Sequence, residues 1–192
     1  MLRNVGIIAR WRPVHNGHVP VLRALCRQAE HALIGIGSAN RYDIRNPFSL
    51  DETTDMLRLA LREFSNYTLI PVPDLDDGPR WREMVKRSFG ALDLFVTDNR
   101  YVLSLLKEEY PIQRPVTIVP LAERVRLDGT SVRGAMARGE DWQRLVPPEI
   151  AEYIAGHALD VRFRREFGLQ TIAQAADRRP HVLTSTPNAR NE

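Results

Sequence analysis

Two histidines, His15 and His18, stand three apart in the segment Gly6-Ile-Ile-Ala-Arg-Trp-Arg-Pro-Val-His-Asn-Gly-His18, directly after a short apolar run. Two imidazoles on a glycine-bearing turn can donate hydrogen bonds to an anion. Gly17 lets backbone approach closely, and His18 stands where a helix begins, whose N-terminal amides attract phosphate. An H-x-x-H pair by itself is equally compatible with two half-exposed loop histidines. The zinc-protease arrangement, with histidines four apart on a helix and a glutamate between them, is absent, which argues against a metal site here. Gly35-x-Gly37 is not a dinucleotide fingerprint, because no third glycine and no helix follow it in the required register. Asp74, Asp76 and Asp77 form a small acidic cluster that reads either as a loop lining a pocket or as a solvated turn.

These residues need elements to position them. The first 120 residues alternate short apolar runs with amphipathic stretches, the pattern of βα units around a parallel sheet covered by helices on both faces. Strands are expected over 5–9, 32–37, 67–71, 92–97 and 116–119. Ser49 and Glu52 form a capping box before a helix carrying Met56, Leu57, Ala60 and Leu61. Pro79 opens a helix with Trp81, Met84 and Val85, and Asp98 or Asn99 caps one with Val102, Leu105 and Leu106. Beyond Pro120 the pattern turns helical: Ser131 to Arg138 ended by Gly139, then Pro148 to His157, then Asp160 to Phe167. The expected fold is α/β, a Rossmann-like parallel sheet flanked by helices, with a C-terminal helical cap. Residues 1–168 form the domain, and residues 169–192, poor in large apolar side chains, form a weakly held tail. In such a sheet ligands bind beyond the carboxyl ends of the strands, where the histidine pair lies.

Composition sets wide bounds. A chain of 192 residues fits one domain, and 43% hydrophobic with 27% charged residues is the balance of a globular protein. The net charge of +3 is too small to announce a nucleic-acid binder, and the basic stretch Arg162-Phe-Arg-Arg165 reads as a solvated helix face. Cys26 is the single cysteine, so neither an internal disulfide nor a thiolate-rich zinc site is available. No apolar stretch approaches about 20 residues, the length of a membrane span. The expectation is a soluble, cytoplasmic protein without membrane contact.

Pro13-x-His15-x-Gly17-His18 resembles the H-x-G-H motif of the nucleotidylyltransferase superfamily, and Asp128-Gly-Thr-Ser-Val-Arg133 resembles its second signature at a helix N-terminus near the last strand. The intermediate segments Gly37-Ser-Ala39, Arg45-Asn-Pro-Phe48, Pro71-Val-Pro-Asp-Leu-Asp76 with Trp81, Gly139-Glu-Asp-Trp142 and Leu145-Val-Pro147 resemble the archaeal type of nicotinamide-nucleotide adenylyltransferase, over roughly residues 4 to 157. Two departures stand out. Arg12 replaces the family's glutamine, and Thr53 follows Glu52 where the family has arginine.

The resemblance implies adenylyl transfer from ATP to nicotinamide mononucleotide, giving NAD and pyrophosphate, with the acid nucleotide as a further acceptor. An acceptor phosphate monoester, with a second pKa of about 6, is already largely dianionic near neutrality, so no general base is required. The site has instead to hold two anions in line, which is electrostatic catalysis. His15 and His18 are then phosphate donors, with His18 at the α-phosphate. Arg45 and Arg133 hold the β and γ phosphates, because a guanidinium matches phosphate oxygens bidentately. Arg10, Gly17, Gly129, Thr130 and Ser131 complete the ATP side. Trp81, Asp74 and Asn99 form the acceptor side, with Trp81 stacking on the pyridinium ring. Mg2+ is implied, carried mainly by the ATP phosphates without a protein cage. Homo-oligomers are common in the family. The alternatives are another phosphate acceptor, as in pantetheine-phosphate adenylyltransferases or cytidylyltransferases, and a non-catalytic nucleotide-binding module.

Overall fold

A computed structural model describes residues 1–177. Five parallel strands, β1 (Leu2–Ala9), β2 (Ala29–Gly37), β3 (Tyr67–Val72), β4 (Leu94–Val96) and β5 (Ile112–Gln113), lie in the order β3-β2-β1-β4-β5. β1 is central, and the order reverses between it and β4, which opens a crevice at their carboxyl ends. Val5 and Ile7 point into one core, which Ala32, Ile34 and Ile36 of β2 share. Gly6 faces the other side, where an added Cβ would meet Leu92 at 2.6 Å, so the sheet and that layer can touch only through a glycine.

Helices cover both faces. α1 (Val19–Gln28), α2 (Leu50–Ala60), α6 (Gly129–Arg138) and α7 (Pro148–Gly156) contribute to the larger core, and α3 (Gly78–Phe89) and α4 (Arg100–Leu106) to the smaller one around Val85, Phe89 and Phe95. The expected caps form. Ser49 and Glu52 close the capping box of α2, Asn99 rather than Asp98 caps α4, and Gly139 ends α6 in the left-handed conformation.

Two expectations are corrected. Residues 116–119 are not a strand: α5 (Pro115–Ile118) is a single helical turn, and the fifth strand is Ile112–Gln113, separated from it by Arg114. Pro115 presets φ at the first helical position and its missing N–H costs nothing there, which outweighs the strand preference of Val116, Thr117 and Ile118. The boundary after residue 168 falls inside a continuous helix, α8 (Leu159–Asp177). Phe163 and Thr171 are buried along it, and Arg162 is bonded twice to Glu52 of α2 and once to the Pro47 carbonyl, so the helix is anchored on the body. The remainder of the expected tail, 178–192, lies outside the described residues.

Candidate active site

The loops after β1, β2, β3 and β4 converge at the carboxyl edge of the sheet and bound two adjoining cavities. The first, of about 420 Å³, lies between the loop after β1 and the N-terminus of α6; Arg10, His18, Arg45, Gly129, Thr130 and Arg133 line it. The second, of about 470 Å³, lies over the carboxyl ends of β1, β2 and β3, and Trp81, Asp74 and Asn99 line it. Arg10 and Arg45 border both. Two anions bound in the two cavities would meet between these two guanidinia.

The histidine pair is more deeply set than its loop suggested. His15 is 2% exposed and stacks on His18 with ring centroids 3.5 Å apart, while Trp11 meets His18 edge-on. Trp11 is itself buried and donates its indole N–H to the Gly35 carbonyl at 2.8 Å, which fixes the stack to β2. Burial drives the His15 pKa down to about 4, with Arg133 adding to the effect, and burial likewise holds His18 well below the usual range, with His15 adding to it. Both rings are therefore neutral at pH 7. Gly17 N–H donates to His15 Nδ1 at 3.1 Å, so the His15 proton sits on Nε2, leaving an N–H donor on the far edge of the ring. His18 reaches the first cavity, whereas His15 supports it from behind.

Gly17 does not line either cavity. Its requirement is packing: a Cβ there would lie 2.6 Å from the Leu127 carbonyl and 3.1 Å from the His15 ring, so only glycine lets the H-x-G-H turn dock beside the segment leading into α6. Ser131 is likewise outside the cavities. Its backbone N–H and hydroxyl both donate to Asp128, completing the N-cap of α6. Thr130 and Gly129, the first residues of that helix, present its free N-terminus to the cavity. Arg133, one turn on, is half-buried; burial and the nearby Arg10 bring its pKa down to about 10, so it stays charged at neutral pH. Its Nη1 donates to the Arg12 carbonyl at 2.8 Å, which ties α6 to the loop after β1.

At the second cavity, Trp81 is half-buried near the start of α3 and packed on the smaller core. Asn99 spends its side-chain oxygen on the Tyr101 and Val102 amides, and its amide nitrogen makes no hydrogen bond among the described residues. The acidic loop is tied down: Asp77 caps α3, Arg41 holds Asp76 through two hydrogen bonds at 2.8 and 2.7 Å, and Asn40 exchanges a pair with the backbone of Asp74.

The two departures from the family pattern touch each other. Arg12, 2% exposed, donates from Nε to Thr53 Oγ1 at 3.2 Å and from Nη1 to the Ser38 carbonyl at 3.0 Å and Asn46 Oδ1 at 2.9 Å. Asn46 in turn donates to Asp43, which also accepts from the Arg45 amide. Arg12 thus positions the loop that carries Arg45. Sequence reasoning registered Arg12 only as an anomaly. The bond to Thr53 spans 41 residues and has no local signature. Among the described residues no group of three or more His, Cys, Asp or Glu is placed to hold a metal ion, and no helix is long and apolar enough to cross a membrane.

An open α/β sheet with an H-x-G-H turn after its first strand and a phosphate-ready helix near its last defines a nucleotidylyltransferase-type domain. A family profile described as cytidylyltransferase-like matches residues 10–185. The chain is 35% identical over 151 residues to the nicotinamide-nucleotide adenylyltransferase of Thermococcus onnurineus, covering 77% of this chain and 79% of that one. It is 32% identical to the protein of the same name from Methanococcus vannielii, covering 77% and 86%. The chain belongs to the cytidylyltransferase-like family, in its archaeal nicotinamide-nucleotide adenylyltransferase branch. A solved structure of a bifunctional NMN adenylyltransferase/ADP ribose pyrophosphatase from Francisella tularensis shares the fold, with a TM-score of 0.69 at 16% identity over 94% of this chain and 57% of that one.

Proposed function

We propose that the protein transfers the adenylyl group of ATP to nicotinamide mononucleotide, forming NAD and releasing pyrophosphate. The observation that carries this reading is the pair of adjoining cavities sharing Arg10 and Arg45, one walled by cations and a helix N-terminus, the other by an aromatic ring and an acidic loop. The triphosphate suits the first. Arg45 and Arg133 take its outer phosphates, the amides of Gly129 and Thr130 add donors, and His18 addresses the α-phosphate, where negative charge grows as the acceptor oxygen attacks. A neutral imidazole donates to that charge without giving up its proton, and its burial means little reorganisation during the reaction.

The mononucleotide suits the second cavity. Its phosphate lies toward Arg10 and Arg45, and its pyridinium ring, a flat cation, stacks on Trp81 beside Asp74. The acceptor phosphate attacks the α-phosphorus, the bond from that phosphorus to the bridging oxygen breaks, and pyrophosphate leaves toward Arg133. The wall facing the triphosphate is built of arginines and amides, which address phosphate oxygens, and it leaves a Mg2+ ion to the phosphates and to water. When bound, the ion neutralises charge on the outer phosphates. Arg162, Arg164 and Arg165 are each paired, with Glu52, Asp160 and Glu166, which favours catalysis over a nucleic-acid module built on that helix.

The test is to incubate the purified protein with Mg2+, ATP and, separately, nicotinamide mononucleotide and pantetheine phosphate. NAD and pyrophosphate in equal amounts from the first mixture are expected. Turnover of pantetheine phosphate in preference would overturn the acceptor.

A further inference from the structure

α8 reaches the first cavity. Thr171, Gln174 and Ala175 line it together with Arg10, Arg45 and Arg133, although nothing in the sequence of this segment signals a site. The placement follows from two anchors. At its N-terminal end, Arg162 is bound to Glu52 and to the Pro47 carbonyl; one turn on, Glu166 accepts from the Tyr42 hydroxyl and Phe167 packs edge-on against the Tyr42 ring. Tyr42 and Pro47 bracket Ile44 and Arg45, so the helix is fastened to the same loop that carries an arginine of the site. Further along, α8 packs beside α6, and Thr171, 8% exposed, turns its hydroxyl back to the Phe167 carbonyl at 2.8 Å. That leaves Gln174 as the polar side chain of α8 with uncommitted donors at the cavity: it is half-buried, and it makes no hydrogen bond among the described residues.

We propose that α8 forms the fourth wall of the triphosphate site and that Gln174 donates its side-chain amide to the outer phosphates of ATP, which become the leaving pyrophosphate. This rests on the reading of the first cavity as the ATP site. Arg133, which takes the outer phosphates in that reading, and its neighbour Gly134 belong to α6, the helix packed against α8, and both line the same cavity as Gln174. The small side chains Thr171 and Ala175 leave room there, and a neutral amide adds a donor without adding a fourth positive charge to Arg10, Arg45 and Arg133.

The experiment compares wild type with Gln174→Ala, Gln174→Glu and Gln174→Lys. Loss of one hydrogen bond from a half-buried donor predicts about a 3- to 10-fold rise in the KM for ATP in Gln174→Ala, with a larger rise in Gln174→Glu and near-native or tighter binding in Gln174→Lys. Product inhibition by inorganic pyrophosphate should weaken in the same order. The KM for nicotinamide mononucleotide and the Kd for AMP, which lacks the outer phosphates, should stay at their wild-type values in all three. Equal KM for ATP in all four proteins would overturn the proposal. So would an effect of Gln174→Glu with none in Gln174→Ala, which is a charge felt at a distance rather than a hydrogen bond. An equal loss for AMP and ATP would also overturn it, since the contact would then be to the nucleoside. A wild-type protein that consumes no ATP in the presence of any acceptor phosphate defeats the underlying function, a result distinct from all of these.

Discussion

The two cavities of this protein are built in opposite ways. The triphosphate side is assembled from segments far apart in the chain and fixed from behind by buried groups: the His15, His18 and Trp11 stack, the Arg133 bond to the Arg12 carbonyl, and the Arg12 network under Arg45. The second cavity is rimmed by exposed loops held by solvent-screened surface contacts such as Arg41 to Asp76. In the proposed function the buried supports lie where charge is stabilised in the transition state, and the exposed loops lie where a ring enters and leaves. Loss of a donor at the α-phosphate should therefore reach the chemical step, whereas substitutions at the outer phosphates or on the second side should stay in binding.

The largest effect is expected at His18. His18→Ala should lower kcat by about 100- to 1,000-fold, the usual loss for one donor at a developing oxyanion. Because the ring is packed between Trp11 and His15, the melting temperature should fall as well, contrary to what a solvated loop histidine would give. Near-native turnover at saturating substrates would erase the contrast between the cavities. Trp81→Ala should raise the KM for nicotinamide mononucleotide by about 2- to 30-fold with the KM for ATP unchanged. Trp81 lies at the edge of the smaller core, so its removal should cost less than the roughly 3–5 kcal/mol of a buried aromatic. Equal damage to both constants, with a large loss of stability, would make it a core residue.

A smaller effect is expected for Arg133→Lys, which keeps the charge and loses the planar fork. ATP should bind about 3- to 10-fold more weakly and AMP as before, as measured by titration. The smallest is a pH effect. His15 has a folded pKa of about 4, below its unfolded value near 6.5, so the unfolded chain takes up a proton first as pH falls. Stability from this group is full above the unfolded value and is lost between about pH 6.5 and pH 4. Between pH 7 and pH 5.5 the loss from His15 should be about 1 kcal/mol, and His15→Asn should remove that share of the slope from denaturant titrations while leaving the share due to His18.

How much of this was legible beforehand depends on the range of the contacts involved. The H-x-G-H turn, the Asp128 to Arg133 helix start and Trp81 carry local patterns, and each falls where the sheet puts it. Four of the strands also follow from continuous apolar runs. Residues 116–119 misled because β-branched residues outvoted a proline whose effect is local and stronger. Gly17 and Ser131 read as ligand residues because they belong to motifs, yet the structure gives them packing and capping work. Arg12 bonds Thr53 across the fold, and Gln174 comes to the same cavity as Arg45 only through tertiary packing. One sequence gives no period or spacing from which to read them.

The proposed transfer requires that the two substrates meet once, in line, at the seam marked by Arg10 and Arg45. ATP made chiral at the α-phosphorus with oxygen isotopes reports on that geometry directly. A single attack by the acceptor phosphate predicts NAD with inverted configuration at that phosphorus. Net retention would contradict the account, since it requires two displacements through an adenylyl group first carried by the protein, with His18 acting as a nucleophile instead of a donor.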